Sequence, residues 1–369
     1  MVLFIGQVAR GMIDREAFQE IDFRRMFGQM AKWVSQIDDA ERIPEYVSRA
    51  FHTAATGRPG PVVLALPEDM LTDRVDVADA AAYRVTQAHP GAAELAEMRD
   101  MMAAAQRPMA ILGGGGWDPQ AWQDFKEFAE NFHLPVGTSF RAQSHFDNTH
   151  PNYVGDVGIG LNPKLAERVK TADLLLVVGA RLGELTTSGY TLVEPPKPKQ
   201  TLIHVYPDPE ELGRVYQAAL PINSGMGAFA AAAKSLEPLD SVAWAASLEQ
   251  GRRDYLEYIK PDEMPGDVNL GEIFVWLRDR LTPGAIVTNG AGNYSGWMHR
   301  HFQFSRCRTQ IGPTSGSMGY RTPAAVAAKA TYPERMVVNF AGDGCYMMHG
   351  QELSTAVKYG LNVVNVIVN

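Results

Sequence analysis

The chain reads as an α/β protein of three doubly wound parallel-sheet domains, the first and last incomplete. Three observations predict this. Short, nearly continuous apolar runs such as Val62-Val63-Leu64-Ala65-Leu66 and Leu174-Leu175-Leu176-Val177-Val178 recur along the sequence, closed by Pro or Gly. Strands that are apolar on both faces belong to parallel sheets covered by helices. Helix-like periodicity lies between the runs, giving the βαβ alternation. A length of 369 residues exceeds what one ordinary core holds, so more than one domain is expected.

The first block covers residues 1–75. Met1-Val2-Leu3-Phe4-Ile5-Gly6 is its opening strand, and Ile43, Tyr46, Val47, Ala50, Phe51 and Ala54 recur at helical spacing between Arg42 and Thr56. Gly57-Arg58-Pro59-Gly60-Pro61 breaks that helix before the buried strand Val62–Leu66, which Pro67 ends. Thr72 to Gly91 reads as a linker. The second block, 92–238, carries strands at Met109–Leu112, Pro135–Thr138, Leu174–Val178 and Thr201–Val205, with a Pro-rich surface turn from Glu194 to Lys199. A charged stretch, Glu249 to Asp262, precedes the third block, 267–369. That block holds Ala285-Ile286-Val287-Thr288, a Gly-rich region, a helix from Ala324 to Ala330, and a closing strand–turn–helix–strand unit. Because the chain starts inside one strand and stops inside another, it reads as a fragment.

Composition narrows the function classes. A formal net charge of −8 gives no attraction to nucleic acid or an anionic membrane. No apolar run has the length of a bilayer span. Cys307 and Cys345 are the only two cysteines, which is no disulfide framework and suits a reducing cytoplasm, the expected location.

The closing unit is the most telling. The strand Val337-Val338-Asn339-Phe340-Ala341 runs into Gly342-Asp343-Gly344, and the chain ends on Asn369, 26 residues after Asp343. In an open parallel sheet, ligands gather beyond the carboxyl ends of the strands. Asp343 would emerge there as an anionic ligand, Gly342 and Gly344 let the backbone turn and approach closely, and the amides around Cys345 and Tyr346 can face a phosphate. Magnesium prefers oxygen ligands and commonly bridges carboxylate to diphosphate, so Asp343 and Asn369 are the candidate metal ligands. A tight strand-to-helix turn is the plainer reading of Gly-Asp-Gly alone. Elsewhere, Gly113 to Gly116 follow an apolar strand, but Asp118 falls where a dinucleotide fingerprint needs its third Gly. His299 and His301 lie two apart with no third partner to make a metal site, and His349 reads as a turn residue.

Taken together, these motifs resemble the thiamine-diphosphate-dependent enzymes of the acetolactate synthase-like family. The resemblance covers essentially the whole chain in order. It includes Gly6-Gln7-Val8, Ala17-Phe18-Gln19-Glu20, Ala31-Lys32, Gly57–Val62, Gly113-Gly114-Gly115, Val178-Gly179-Ala180-Arg181, Gly316-Ser317-Met318-Gly319-Tyr320 with Pro323-Ala324-Ala325, and Gly342-Asp343-Gly344. It implies a pyrimidine-binding domain over 1–75, a central domain of a possible flavin-binding type over 92–238, and a diphosphate-binding domain over 267–369. By resemblance, Gly292, Asn293 and Tyr294 contact the diphosphate, Met318 wedges beneath the bent cofactor, and backbone groups at Gly316 and Met318 read the pyrimidine. Gln7 and Lys32 would border the substrate channel. The implied cofactors are thiamine diphosphate and Mg2+, with FAD left open through Gly115 and Arg181. The implied reaction joins pyruvate to a second 2-keto acid with loss of carbon dioxide, in a homodimer or homotetramer.

Departures from the family pattern bear on these expectations. The catalytic Glu and the second closing Asn fall outside the sequence, so the chain alone is expected to be inactive and to bind cofactor weakly or not at all. Arg321-Thr322 stands where the family has smaller Gly-Leu, and Asn289 where it has Asp. Another thiamine-dependent decarboxylase or lyase, a nicotinamide- or flavin-dependent oxidoreductase, and a catalytically incompetent fragment are the competing readings.

Overall fold

A computed structural model describes residues 1–239 and 242–369. The chain divides into two compact units, Met1–Ala88 and His89–Asn369. The expected linker coincides with the division, since 73–90 carries no helix or strand.

The first unit holds β1 (Val2–Gln7), β2 (Trp33–Gln36) and β3 (Val62–Pro67), in the order β1-β3-β2 and all parallel. β3 is the central strand and is buried almost throughout, as its apolar run requires. The helix Ile43–Ala55 starts with Pro at its first turn, where the missing N–H costs nothing, and packs Ala50 and Ala54 into the core with Leu64. β2 went unread in the sequence because Trp33-Val34-Ser35-Gln36 is short and half polar.

The second unit holds two sheets. β4 (Pro108–Leu112), β5 (Val136–Ser139), β6 (Tyr153–Val157), β7 (Leu174–Val178), β8 (Thr201–Tyr206) and β9 (Leu220–Asn223) form a six-stranded sheet ordered β6-β5-β4-β7-β8-β9. Its pairings are all parallel. This is the doubly wound dinucleotide-type order, with its reversal between β4 and β7. β6 and β9 escaped the sequence reading for identifiable reasons: β6 is interrupted by Gly155 and Asp156, and β9 carries Pro221, which an edge strand tolerates. Asp118, the residue that spoils the dinucleotide fingerprint, caps the helix Pro119–Asn131, its carboxylate accepting from the Ala121 N–H at 2.7 Å. The charged stretch before the third block is mostly helical. It lies largely within the helix Val242–Tyr258, which turns Tyr255 into the central core, while Arg252 donates to the carbonyls of Asn148, Tyr153 and Thr149.

The last sheet comprises β10 (Ile286–Thr288), β11 (Gln310–Ile311), β12 (Val337–Gly342) and β13 (Val364–Val368), ordered β11-β10-β12-β13 and parallel throughout. The chain leaves β10 for the edge at β11 and then returns to β12 on the other side. β10 and β12 therefore flank a topological switch point, where loops leaving the carboxyl ends splay apart and open a crevice. The helix Arg321–Thr331 packs Ala325 and Ala328 against Ile286 and Val337 from one face. Phe274, Met298 and Phe302 cover Val287, Val338 and Phe340 from the other.

Candidate phosphate-binding site

Two loops leave the switch point. β10 ends at Thr288 and continues through Asn289, Gly290, Ala291 and Gly292 into the helix Ser295–His301. β12 ends at Gly342, where the extended backbone (φ −70°, ψ 152°) caps the short helix Asp343–Met347. The last register pair of β12 and β13 is Gly342 with Val368. Asp343 and Asn369 are therefore the next residues out from neighbouring strand ends, both exposed. A carboxylate and a side-chain amide so placed give two oxygen donors at one sheet edge. Among the described residues no group of three or more His, Cys, Asp or Glu could hold a metal. Two oxygen donors at one edge are compatible with a cation that takes most of its coordination from phosphate and water, as magnesium does.

Close approaches tie the other expected residues to this edge. A Cβ on Gly342 would stand 3.6 Å from the Tyr294 ring, and a Cβ on Gly344 would stand 3.8 Å from Cε of Met318. The Gly292 loop, the Met318 turn and Asp343 are thus brought together. Gly316 and Gly319, on either side of Met318, have φ of +73° and +79°, a left-handed conformation that side-chain-bearing residues rarely adopt. This double turn lifts Met318 outward, and it remains 50% exposed.

Tyr294 differs from its expected role. It is buried, its ring covers Gly292, and its hydroxyl donates to the Phe340 carbonyl at 3.0 Å. Burial pushes its phenol pKa up, so it stays a neutral donor committed to the strand. Tyr294 therefore anchors the loop, and its neighbour Asn293, exposed, is the side chain turned to solvent there. Cys345 is buried too, its sulfur receiving a guanidinium N–H of Arg321 at 3.2 Å.

Sequence reasoning missed the buried polar layer beneath the loops. Arg141, which follows β5, donates to the carbonyls of Gly290 and Pro313 and so joins the central sheet to both loops of the last one. Burial, then the nearby Arg321, lowers its pKa. Gln143 donates to the His299 carbonyl, and Asn289 donates to Nε2 of His299 at 3.0 Å. Burial holds His299 neutral, its pKa lowered to about 3, with Arg141 adding to the effect. No local signal marked Arg141, whose partners lie 149 and 172 residues away.

Gln7 and Lys32 belong to the first unit and are not brought together within it. Gln7 ends β1 opposite Pro67, while Lys32 precedes Trp33, which pairs with Val62 at the other end of the sheet. Six residues of strand separate the two levels, roughly 20 Å. Each side chain is engaged with backbone: Gln7 Nε2 donates to the Ile21 carbonyl and Lys32 Nζ to that of Thr56, both at 2.8 Å.

A second hollow, of about 530 Å³, lies between the central sheet's glycine loop and the helix Arg321–Thr331, lined in part by Gly115, Gly116, Trp117, Arg308 and Tyr320. Gly114 and Gly179 are packed on one another, since a Cβ on Gly114 would stand 2.0 Å from the Gly179 carbonyl oxygen. Gly115 faces open space. Arg181 is exposed and is not among the residues lining this hollow.

Residues 95–233 match the central domain of thiamine pyrophosphate enzymes, and residues 290–369 match the C-terminal TPP-binding domain of the same enzymes. The whole chain aligns with the acetolactate synthase large subunit of Corynebacterium glutamicum at 30% identity, covering 60% of that protein. With acetolactate synthase isozyme 3 large subunit of Escherichia coli the identity is 31%, over 66% of its length. For the large subunit of Parasynechococcus marenigrum the figures are 31% and 61%. The chain thus spans about three fifths of the length of the curated relatives it matches. No helix among the described residues is long and apolar enough to cross a membrane.

Proposed function

We infer, since the chain belongs to the thiamine pyrophosphate enzyme family, that its last sheet seats the magnesium-bound diphosphate of thiamine diphosphate and that the protein acts on 2-keto acids. The reaction we propose is that of an acetolactate synthase: pyruvate and a second 2-keto acid give an acetohydroxy acid and carbon dioxide. The observation that carries this reading is the meeting of Asp343, the Gly292 loop and Met318 at the β10/β12 switch point.

Asp343 and Asn369 would hold the magnesium through their side-chain oxygens. The Asn293 amide is free to donate to a phosphate oxygen, and Tyr294, fixed to Phe340, keeps the loop at the depth where it can do so. Met318 offers an exposed apolar shelf beside Gly344 on which an aromatic ring can rest. When bound, the cofactor supplies the electron sink for decarboxylation, and the protein supplies position, charge and exclusion of water. A homodimer or homotetramer is proposed as the working assembly; the relatives' name, large subunit, supports only that the assembly has several subunits.

The hollow beside Gly115 and Gly116 supports a flavin as a structural cofactor, because it adjoins the reversal point of a dinucleotide-type sheet. Quenching of FAD fluorescence on titration with the protein tests that part; unquenched emission refutes it. Product analysis of the active assembly with pyruvate as sole substrate tests the reaction. Acetolactate is the expected product, and acetaldehyde alone would assign simple decarboxylation instead.

A further inference from the structure

Arg321 is 1% exposed and Arg141 8%, and both lie against Gly290. Their hydrogen bonds go to the carbonyls of Phe340, Pro313 and Gly290 and to the Cys345 sulfur. No ion pair to a carboxylate is formed by either among the described residues, and the Nε of each is buried without a partner. The Tyr294 ring, 5.2 Å from the Arg321 guanidinium carbon, and the neutral His299 complete the surroundings. Two permanently charged guanidiniums enclosed without an anion are an unusual arrangement, because an isolated buried charge is costly unless paired. A bound anion would relieve that cost.

We propose that Arg321, backed by Arg141, is the counter-charge for a phosphate group bound between the Gly290–Tyr294 loop and the Gly342–Cys345 turn. The placement selects phosphate over a substrate carboxylate, because Arg321 touches both segments that bracket the phosphate seat: it lies on Gly290 and donates to Phe340 and Cys345. It is also one of the residues, with Thr322 and Asn289, at which the sequence departs from the pattern it otherwise follows. The inference rests on the diphosphate reading and adds to it a charge contributed by this chain's own sequence. Binding would turn the guanidinium from its weak sulfur acceptor toward a phosphate oxygen, a charge-assisted bond stronger than the neutral ones it leaves.

Calorimetric titration with inorganic pyrophosphate and magnesium tests this on the wild-type chain, Arg321→Gln and Arg321→Lys, with melting temperatures recorded before ligand is added. The Gln variant is expected to bind at least tenfold more weakly, with Lys intermediate and with a ligand-free melting temperature no lower than wild type, since removing an uncompensated buried charge relieves strain. Equal pyrophosphate affinity in wild type and Arg321→Gln overturns the proposal. So does a Gln variant whose ligand-free melting temperature falls while its affinity is kept. Titration of pyruvate in place of pyrophosphate separates the sources: an Arg321-dependent response to pyruvate alone assigns the charge to a carboxylate and overturns the phosphate assignment. If wild type binds thiamine diphosphate while pyrophosphate affinity ignores Arg321, only this inference fails. If wild type binds neither ligand, the chain alone holds no phosphate seat, and this inference and the diphosphate reading fail for it together.

Discussion

The Met318 methyl lies 3.8 Å from the point where a Cβ on Gly344 would stand, although 26 residues separate the two in sequence. That contact joins a turn held open by two left-handed glycines to the exit of β12. It also sets an exposed thioether beside the residue that follows Asp343.

Met318→Ala separates packing from chemistry. The side chain is half exposed, so unfolding free energy should change by less than about 1 kcal/mol. If the shelf orients the cofactor, kcat in the active assembly should fall by about 100-fold, with the melting temperature nearly unchanged. Steady-state kinetics beside a thermal melt decide it, and a kcat equal to wild type removes Met318 from the site.

Gly290 is required by a neighbour rather than by its own backbone angle. A Cβ there would stand 1.3 Å from Nε of Arg321. Gly290→Ala should therefore cost about 2 kcal/mol in urea denaturation, and combining it with Arg321→Ala should recover most of that loss. Additive losses in the double variant would mean that the two residues do not share the space.

Acid sensitivity should pass through His299. Its folded pKa is lowered to about 3, below the ordinary histidine value near 6.5. Between these limits the unfolded chain takes up a proton that the folded chain refuses, so the stability is fully present above about pH 6.5 and is lost as pH falls toward 3. His299→Gln, which keeps an acceptor for Asn289, should flatten that limb by up to about 1.4 kcal/mol per pH unit. Denaturant melts at pH 4, 5, 6 and 7 measure the slope, and parallel curves for both proteins would refute the assignment.

Much of the fold was legible because its strands are apolar on both faces. β3, β4, β7, β8 and β12 lie within a residue or two of the runs read in sequence, as those runs are buried almost throughout. The missed strands are short or interrupted ones: the half-polar Trp33–Gln36, Pro221 at an edge, Gly155 and Asp156 in β6, and the two-residue β11. At the site, the sequence could single out residues carried on glycine turns, because glycine marks its own geometry, and the structure brings the Gly292 loop, Met318 and the Gly342–Gly344 turn close together. Tyr294 was expected to face the ligand and instead faces Phe340, a choice set by a strand 46 residues away. The arginine layer was hidden for the same reason. Arg141 and Gly290 meet only once two sheets have packed, and periodicity along the chain carries no record of that.

The proposed function stands on Asp343, with Asn369 beside it at the ends of β12 and β13, seating a magnesium-bound diphosphate. Because both residues and the facing loop lie in one compact unit, the claim can be tested on this chain however weak the affinity. Calorimetric titration of thiamine diphosphate with magnesium into wild type and Asp343→Ala is the direct measurement. Magnesium-dependent heat from wild type and at least a tenfold loss of affinity in the variant are expected. Equal affinity in the two proteins, or binding indifferent to magnesium, would contradict the proposal.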